Sequence, residues 1–566
     1  MQTITTDVLV VGSGGAGLTA ATVAAKRGLD VLLVEKTPEF GGTTAWSGGG
    51  IWVPCNALAQ SAGLHDSVDQ ARRYVKEVIG PTLRDDLLDA FLLSAPAMVD
   101  FLQENTAVKF SLHEGFADWY QDLPGATTSG RLLAPLEFDG RELGPHLPQL
   151  REPLHEFNAP AGMMIGFDDM RHIANIRKSW KSFRYIAGLV TRFLWDKIRY
   201  QRGTRLTMGN ALAARLFKSS IDAGVTLWPS TPMLQLETDG AAVVGATVEK
   251  DGQPLRVVAT RGVILASGGF SANSEFRKRF IPFPDQHVSM VCAGNTGVAI
   301  SNALELGAGF DGDNISNAGW LVVSVLQQAD GSVKKFPHLF MDRGKPGCIA
   351  VSLEGKRFGN ESTTNLVTPM HQSGSVPAYL LCDHRFIKKY GLGLVRPGGI
   401  GLKKMLQAGY LLQGDSIAQL ADKAGIAAQN LQTTVERFNR YAEEGVDEDY
   451  GRGSDKDDFS MGDMSHKPNP CLGLIVNGPY YAVKIFPGDS TTTVGLKVDT
   501  QARVLNQQGE PIPGLQAVGL DMNSLWRGKA PSHGGNNTLS LTFGYIAANA
   551  LADQQTQGSN GHGGQQ

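Results

Sequence analysis

The sequence predicts an α/β protein, and three observations near its start predict it. Residues 7–11 form an apolar strand, Gly12-Ser-Gly14-Gly15-Ala16-Gly17 is a GxGxxG turn opening a helix over 18–27, and a second apolar strand, 31–34, ends at Glu35. Strand, glycine turn and helix in that order, with an acid about 20 residues on, make a dinucleotide-binding unit of the Rossmann type. Each element has a local reason. The unbroken apolar runs suit strands covered on both faces of a parallel sheet. Gly12, Gly14, Gly15, Ala16 and Gly17 allow a tight turn and close backbone approach to a pyrophosphate, on which the helix N-terminus aims unpaired N–H groups and a positive dipole end. Glu35, with Lys36 beside it, is placed to accept ribose hydroxyls.

A second cluster of small residues follows directly, supplying Gly42, Thr43, Thr44, Ser47, Gly48, Gly49 and Gly50. Such a run lets backbone lie flat against a large planar ligand, which suits flavin better than nicotinamide. At 566 residues the chain exceeds one compact core, so several structural units are expected. With 42% hydrophobic residues and a net charge of −3, it reads as an ordinary globular chain with no nucleic-acid partner. Five scattered cysteines form no CxxC pair and no CxxCH, so thiol redox, a bound metal and c-type haem are not expected, and the compartment reads as reducing. No targeting pattern or long apolar run is seen, so a cytoplasmic location is expected. The Gln/Gly/Ser/Asn-rich end, 554–566, reads as a disordered tail.

From the two glycine clusters onward the chain resembles the FAD-dependent flavoprotein superfamily of fumarate reductases and 3-ketosteroid dehydrogenases. Gly262-Val-Ile-Leu-Ala266-Ser267-Gly268-Gly-Phe270 and Gly514-Leu-Gln-Ala-Val-Gly519-Leu-Asp521 carry the resemblance further. It implies a discontinuous Rossmann-type FAD-binding domain with an inserted α+β substrate or capping domain. The corresponding boundaries are 1–290 and 476–553 for the first and 291–475 for the second. It also implies that Ala266, Ser267 and Gly268 approach the adenosine half of FAD, and that Gly519, Asp521, Leu539 and Ser540 lie beside the isoalloxazine. Relatives that attach FAD covalently use a histidine in the early cluster. Threonines stand here, so non-covalent FAD is expected.

The 3-ketosteroid dehydrogenase branch is resembled more narrowly, through Gly355-Lys-Arg-Phe-Gly-Asn360-Glu361, Asn469-Pro-Cys-Leu-Gly and Gly478-Pro-Tyr480-Tyr481. The branch implies a tyrosine base after the Asn-Glu pair, an assisting tyrosine in an early Asp-Tyr-Tyr stretch, and a Tyr-Pro-x-x-Gly motif that holds the ketone. This chain carries Asn365 at the base position and Ala530 at the ketone tyrosine, while Tyr120, in Asp118-Trp-Tyr120, and Gly534 remain. Ser532-His533-Gly534 resembles the His-Gly stretch of fumarate reductases, but Asn537 stands at the position of their dicarboxylate-gripping arginine. Candidate catalytic residues are therefore Tyr120, His533, Gly534, Asn365, Tyr481 and Arg343.

The expected reaction is desaturation, or the reverse reduction, of a C=C bond conjugated to a carbonyl in a hydrophobic cyclic ketone. An ene-reductase of unsaturated acids and a non-catalytic flavin-binding module are the alternatives. With no second GxGxxG, haem motif or iron–sulfur cysteines, electrons must pass to or from an external partner: a quinone, a flavin reductase or oxygen. The segment 171–205 holds ten Lys or Arg side chains against Asp196, interleaved with aromatic and aliphatic residues. It reads either as an amphipathic helix packed on the protein with a solvated basic face or as a peripheral membrane contact.

Overall fold

The computed structural model describes residues 2–559 apart from 155, 157, 160, 161, 177, 340 and 364. The chain divides into two compact units. The first gathers the residues through Asn273, Cys292–Asn317 and those from Thr492 onward, and the second gathers Ser274–Val291 and Ala318–Thr491.

The first unit is built on a mixed sheet whose centre is parallel. The strand β1 (Gln2–Val11) lies between β2 (Val31–Val34) and the strand Gln253–Leu265, with Thr226–Trp228 beyond β2 and Pro511–Ala517 beyond Gln253–Leu265. All four of these pairings are parallel, and Val8, Leu9, Val10, Leu33, Val263, Ile264 and Leu265 are completely buried, as their unbroken apolar runs require. Helix α1 (Gly15–Lys26) crosses from β1 to β2 and packs on the helices Met208–Asp222 and Gly535–Ser559. The last contact is close because a Cβ on Gly544 would lie 2.6 Å from the Ala16 carbonyl oxygen.

The second unit centres on a seven-stranded, largely antiparallel sheet in which Val333–His338, Ala318–Gln327, Tyr480–Thr492, Ala378–Asp383 and Cys348–Val351 follow one another. Two apolar clusters form its core. One contains Phe386, Tyr410, Tyr481 and Val483, the other Leu420, Leu431, Phe438 and Ala482. Tyr481 and Ala482 divide between the clusters because successive side chains of a strand point to opposite faces.

Three expectations are corrected here. Residues 476–491 belong with the second unit, since Tyr480–Thr492 is an inner strand of its sheet, pairing with both Ala378–Asp383 and Leu411–Gly414. Residues 292–317 belong with the first unit and 274–290 with the second. The C-terminal helix runs on to Ser559, through residues expected in the tail, where Gln554, Gln555 and Gln557 are good helix formers; 560–566 lie outside the described residues.

The basic segment forms the helices Phe167–Ala174 and Trp180–Tyr200. The second is held at its end by Asp196, which accepts from Thr204 N and Oγ1 at 3.0 and 2.7 Å. Its apolar side is packed only in part: Phe193 is buried, but Trp180, Trp195 and Ile198 are 76%, 66% and 80% exposed. No helix among the described residues is long and apolar enough to cross a membrane.

Candidate active site

Where β1 meets α1, the backbone leaves no room for side chains. A Cβ on Gly12, which has φ +106°, would lie 2.3 Å from the Ala266 oxygen, and one on Gly17 would lie 2.0 Å from the Gly12 oxygen. Gly14 differs, since a Cβ there would meet nothing within 4 Å. It precedes the first turn of α1, which has no side-chain cap; the Gly15 N–H is taken by Thr44 Oγ1 at 2.9 Å. An uncapped helix N-terminus facing open space fits a pyrophosphate.

Glu35 accepts from Ser13 N and Oγ through one oxygen and from Thr37 N and Oγ1 through the other, at 2.6–3.0 Å. Four donors fill a carboxylate's usual sites. The two side-chain hydroxyls can rotate aside, so ribose hydroxyls can take their places while the backbone donors keep the carboxylate aligned. Lys36 donates to Thr296 Oγ1 at 2.9 Å. In the second cluster, Ser47 Oγ donates to the Thr44 oxygen and receives Gly49 N–H at 3.1 Å, while Thr43 Oγ1 receives Cys292 N–H at 3.4 Å.

The fully buried Asp521 accepts from Ser267 N, Ser267 Oγ and Gly269 N. It ties the 267–269 turn to the C-terminal segment rather than reaching outward. Asn295 Nδ2 donates to the Gly268 oxygen at 2.7 Å, and Gly519 packs with φ +64° where a Cβ would lie 2.9 Å from that of Ala16. Leu539 is buried and Ser540 half-buried, both on the C-terminal helix.

A test of the cradle follows from Gly14. Its φ of −69° and ψ of −176° are open to any residue, so Gly14→Val is expected to fold yet crowd the phosphate site. Purified variant protein should be colourless at wild-type thermal stability measured on the flavin-free form; a fully yellow variant would exclude a pyrophosphate over Gly14.

A second constellation lies in the same unit. The Trp119 N–H and the Tyr74 hydroxyl both donate to the Pro531 oxygen, at 3.2 and 2.6 Å, and the Tyr74 oxygen receives the Tyr120 N–H at 3.2 Å. The early stretch is thus pinned beside Ser532-His533-Gly534. Asp118 anchors it from below, accepting from Trp52 Nε1 at 2.7 Å and from Arg131 at 2.8 Å. The His533 ring stands edge-on to Trp119 and Phe116, at 5.1 and 5.7 Å between centres. Burial, and secondarily the neighbouring His113, pulls its pKa to about 4, so near neutral pH it is an uncharged imidazole with one N–H to donate.

Gly534 has φ +77°, and a Cβ there would lie 2.5 Å from the Gly50 oxygen, so only glycine fits. Asn537 donates to Ser47 Oγ and the Gly50 oxygen at 3.3 and 3.1 Å, tying the helix start to the early cluster. One residue escaped the sequence reading. Lys529 holds its ammonium 4.8 Å from the centre of the Tyr120 ring, and its only signal in the sequence was adjacency to Ala530.

The other three candidates lie in the second unit, where each has a structural task. Arg343 is buried and donates to the backbone oxygens of His338, Glu361 and Thr363 at 2.5–2.8 Å. Asn365 is exposed and accepts from Thr368 N and Oγ1 at the start of the helix Val367–Gln372. Tyr481 is a core side chain whose hydroxyl meets His384 Nδ1 at 3.2 Å. The Asn360-Glu361 pair is structural too: burial pushes the Glu361 carboxyl up, but Arg357 and Arg452 outweigh it and hold the pKa at about 2.

Residues 7–537 match the FAD binding domain family, and the chain belongs to it. It is an FAD-dependent oxidoreductase of the class that acts on CH–CH bonds. The chain is 38% identical to the 4-oxocyclohex-2-ene-1-carboxylate 5-dehydrogenase of Sinomonas cyclohexanicum, over 99% of this chain and 96% of that protein. It is 35% identical to a 3-oxosteroid 1-dehydrogenase of Mycobacterium tuberculosis, over 97% and 98%. Among solved structures it is similar to the 3-ketosteroid delta1-dehydrogenase of Sterolibacterium denitrificans in complex with 1,4-androstadiene-3,17-dione, with a TM-score of 0.89 and 34% identity over 97% of this chain and all of that one.

Proposed function

We propose that the protein desaturates the bond α,β to the carbonyl of a hydrophobic cyclic ketone, using non-covalent FAD held in a discontinuous Rossmann-type domain into which an α+β capping domain is inserted. The relatives named above act on a 3-oxosteroid or a 4-oxocyclohexene acid, both cyclic ketones. The observation that carries the reading is the pinning of Trp119-Tyr120 to Pro531, which brings the stretch that bears the phenol next to Ser532-His533-Gly534, whose neutral imidazole packs on Trp119.

In this reading the His533 N–H and the Gly534 N–H receive the ketone oxygen, which gains charge as the α-proton leaves. A neutral donor suits that task, because it stabilises the developing enolate without surrendering its own proton. Tyr120 takes the α-proton as phenolate and passes it to water as phenol. FAD, held by the Gly12–Gly17 turn and Glu35, would supply the acceptor for the hydride that leaves the β-carbon. Reoxidation falls to an external quinone, flavin reductase or oxygen. The exposed aromatic and basic face of Trp180–Tyr200 supports peripheral attachment to an anionic membrane, at which a hydrophobic substrate would be met.

Anaerobic titration of the yellow protein tests the reaction. The flavin band is expected to bleach on adding a 3-ketosteroid or 4-oxocyclohex-2-ene-1-carboxylate. If no cyclic ketone bleaches it while fumarate reoxidises the reduced flavin, the ene-reductase reading replaces this one; if neither occurs, the chain is a flavin-binding module.

A further inference from the structure

A tyrosine with an ordinary pKa of about 10 is almost wholly protonated at neutral pH, so a tyrosine that takes a proton needs a neighbouring positive charge. Several ionisable groups surround Tyr120. Tyr74, which receives its N–H, has its own hydroxyl pushed far up by burial and then by Asp118. Asp118 is paired with Arg131, which at 2.7 Å also pairs with Asp66. His533 packs on the adjacent Trp119, and His113 stacks on Phe116 beside it; burial keeps His533 uncharged. Lys529 is different. It is half-buried, its ammonium lies 4.8 Å from the Tyr120 ring centre, and among the described residues no carboxylate pairs with it. Arg131 is spent on two acids, which leaves Lys529 as the cation whose field is uncompensated.

We propose that Lys529 is a positioning residue that acidifies the Tyr120 hydroxyl by standing its charge over the ring, so that the phenolate forms at a pH where an isolated tyrosine stays protonated. This rests on the reading of Tyr120 as the proton carrier. A unit charge about 5 Å away at an effective dielectric of about 20 shifts a titration by roughly two pH units, and partial exposure reduces that to about one. The charge stays on lysine throughout. The proton moves from the α-carbon to the Tyr120 oxygen and then to water, with no other reactant.

The test is an ultraviolet titration of tyrosinate in the flavin-bound protein, each form compared with its own Tyr120→Phe counterpart to isolate Tyr120. In Lys529→Met the Tyr120 transition is expected about one pH unit higher than in wild type, and the acid limb of kcat/KM should move up with it. Lys529→Arg should restore both. Lys529→Gln, which keeps a polar side chain, guards against a folding defect in the Met variant, and flavin content is checked in each. An unshifted Tyr120 titration in both Met and Gln variants, or an Arg variant that behaves like Met, overturns the proposal. Full turnover by Tyr120→Phe would instead remove Tyr120 as proton carrier, and the ultraviolet titration would still report whether Lys529 acidifies it.

Discussion

Tyr120→Phe is expected to slow the chemical step by about 10²- to 10⁴-fold while leaving flavin content and fold unchanged. The substitution removes one oxygen and keeps the ring over which Lys529 lies. The backbone links that pin the stretch, Trp119 N–H to Pro531 and Tyr120 N–H to Tyr74, do not involve the phenol and should survive. Pre-steady-state flavin reduction is the measurement, because product release and reoxidation do not enter it. Exchange of the substrate α-proton with deuterated solvent should stop in the variant. Undiminished reduction and exchange would show that another group moves the proton.

The second large effect concerns stability. Glu361 is fully buried and accepts from Arg357 and Arg452, at 2.8–3.0 Å, and from the Ala350 N–H at 3.0 Å. Arg357 keeps Asp447 as a partner, but Arg452 pairs with no other carboxylate among the described residues, so Glu361→Ala buries an unbalanced guanidinium. The expected loss is about 3–5 kcal/mol, read as the shift in denaturant midpoint. The same carboxyl has a pH signature. Its folded pKa of about 2 lies below the ordinary carboxylate value of about 4.3, so its contribution is complete above that value and is lost as pH falls towards 2. Wild-type stability should therefore decline between about pH 4.5 and 2 more steeply than that of Glu361→Ala; parallel decline would show that the ion network contributes nothing in that window.

The parts of the molecule that could be read from the sequence are those with local causes. Strand, glycine turn, helix and Glu35 fall within one contiguous stretch, and Gly12 and Gly17 there answer close backbone contacts. His533, Tyr120 and Gly534 stand in short motifs, which is what made them candidates. What the sequence left hidden depends on distant partners. Arg343 looked available to a substrate because nothing beside it in sequence shows that the carbonyls of His338, Glu361 and Thr363 would absorb its guanidinium. Asn365 occupies the expected register of a base, yet its amide oxygen is taken by Thr368 in the helix that follows. Lys529 was unremarkable until the fold laid it on a ring that is remote in the chain.

The inner strand Tyr480–Thr492 carries a consequence for how the protein is made. The sheet of the second unit begins with residues before 291 and cannot close until this strand has been synthesised, and the parallel sheet of the first unit waits longer, for Pro511–Ala517 and then for the helix Gly535–Ser559 that covers α1. Neither unit can fold on the ribosome as its first segments emerge. The strand Gln253–Leu265 must therefore wait for its neighbour Pro511–Ala517, and α1 for its covering helix, until nearly the whole chain has been made, so a chain that ends before the last helix leaves α1 uncovered.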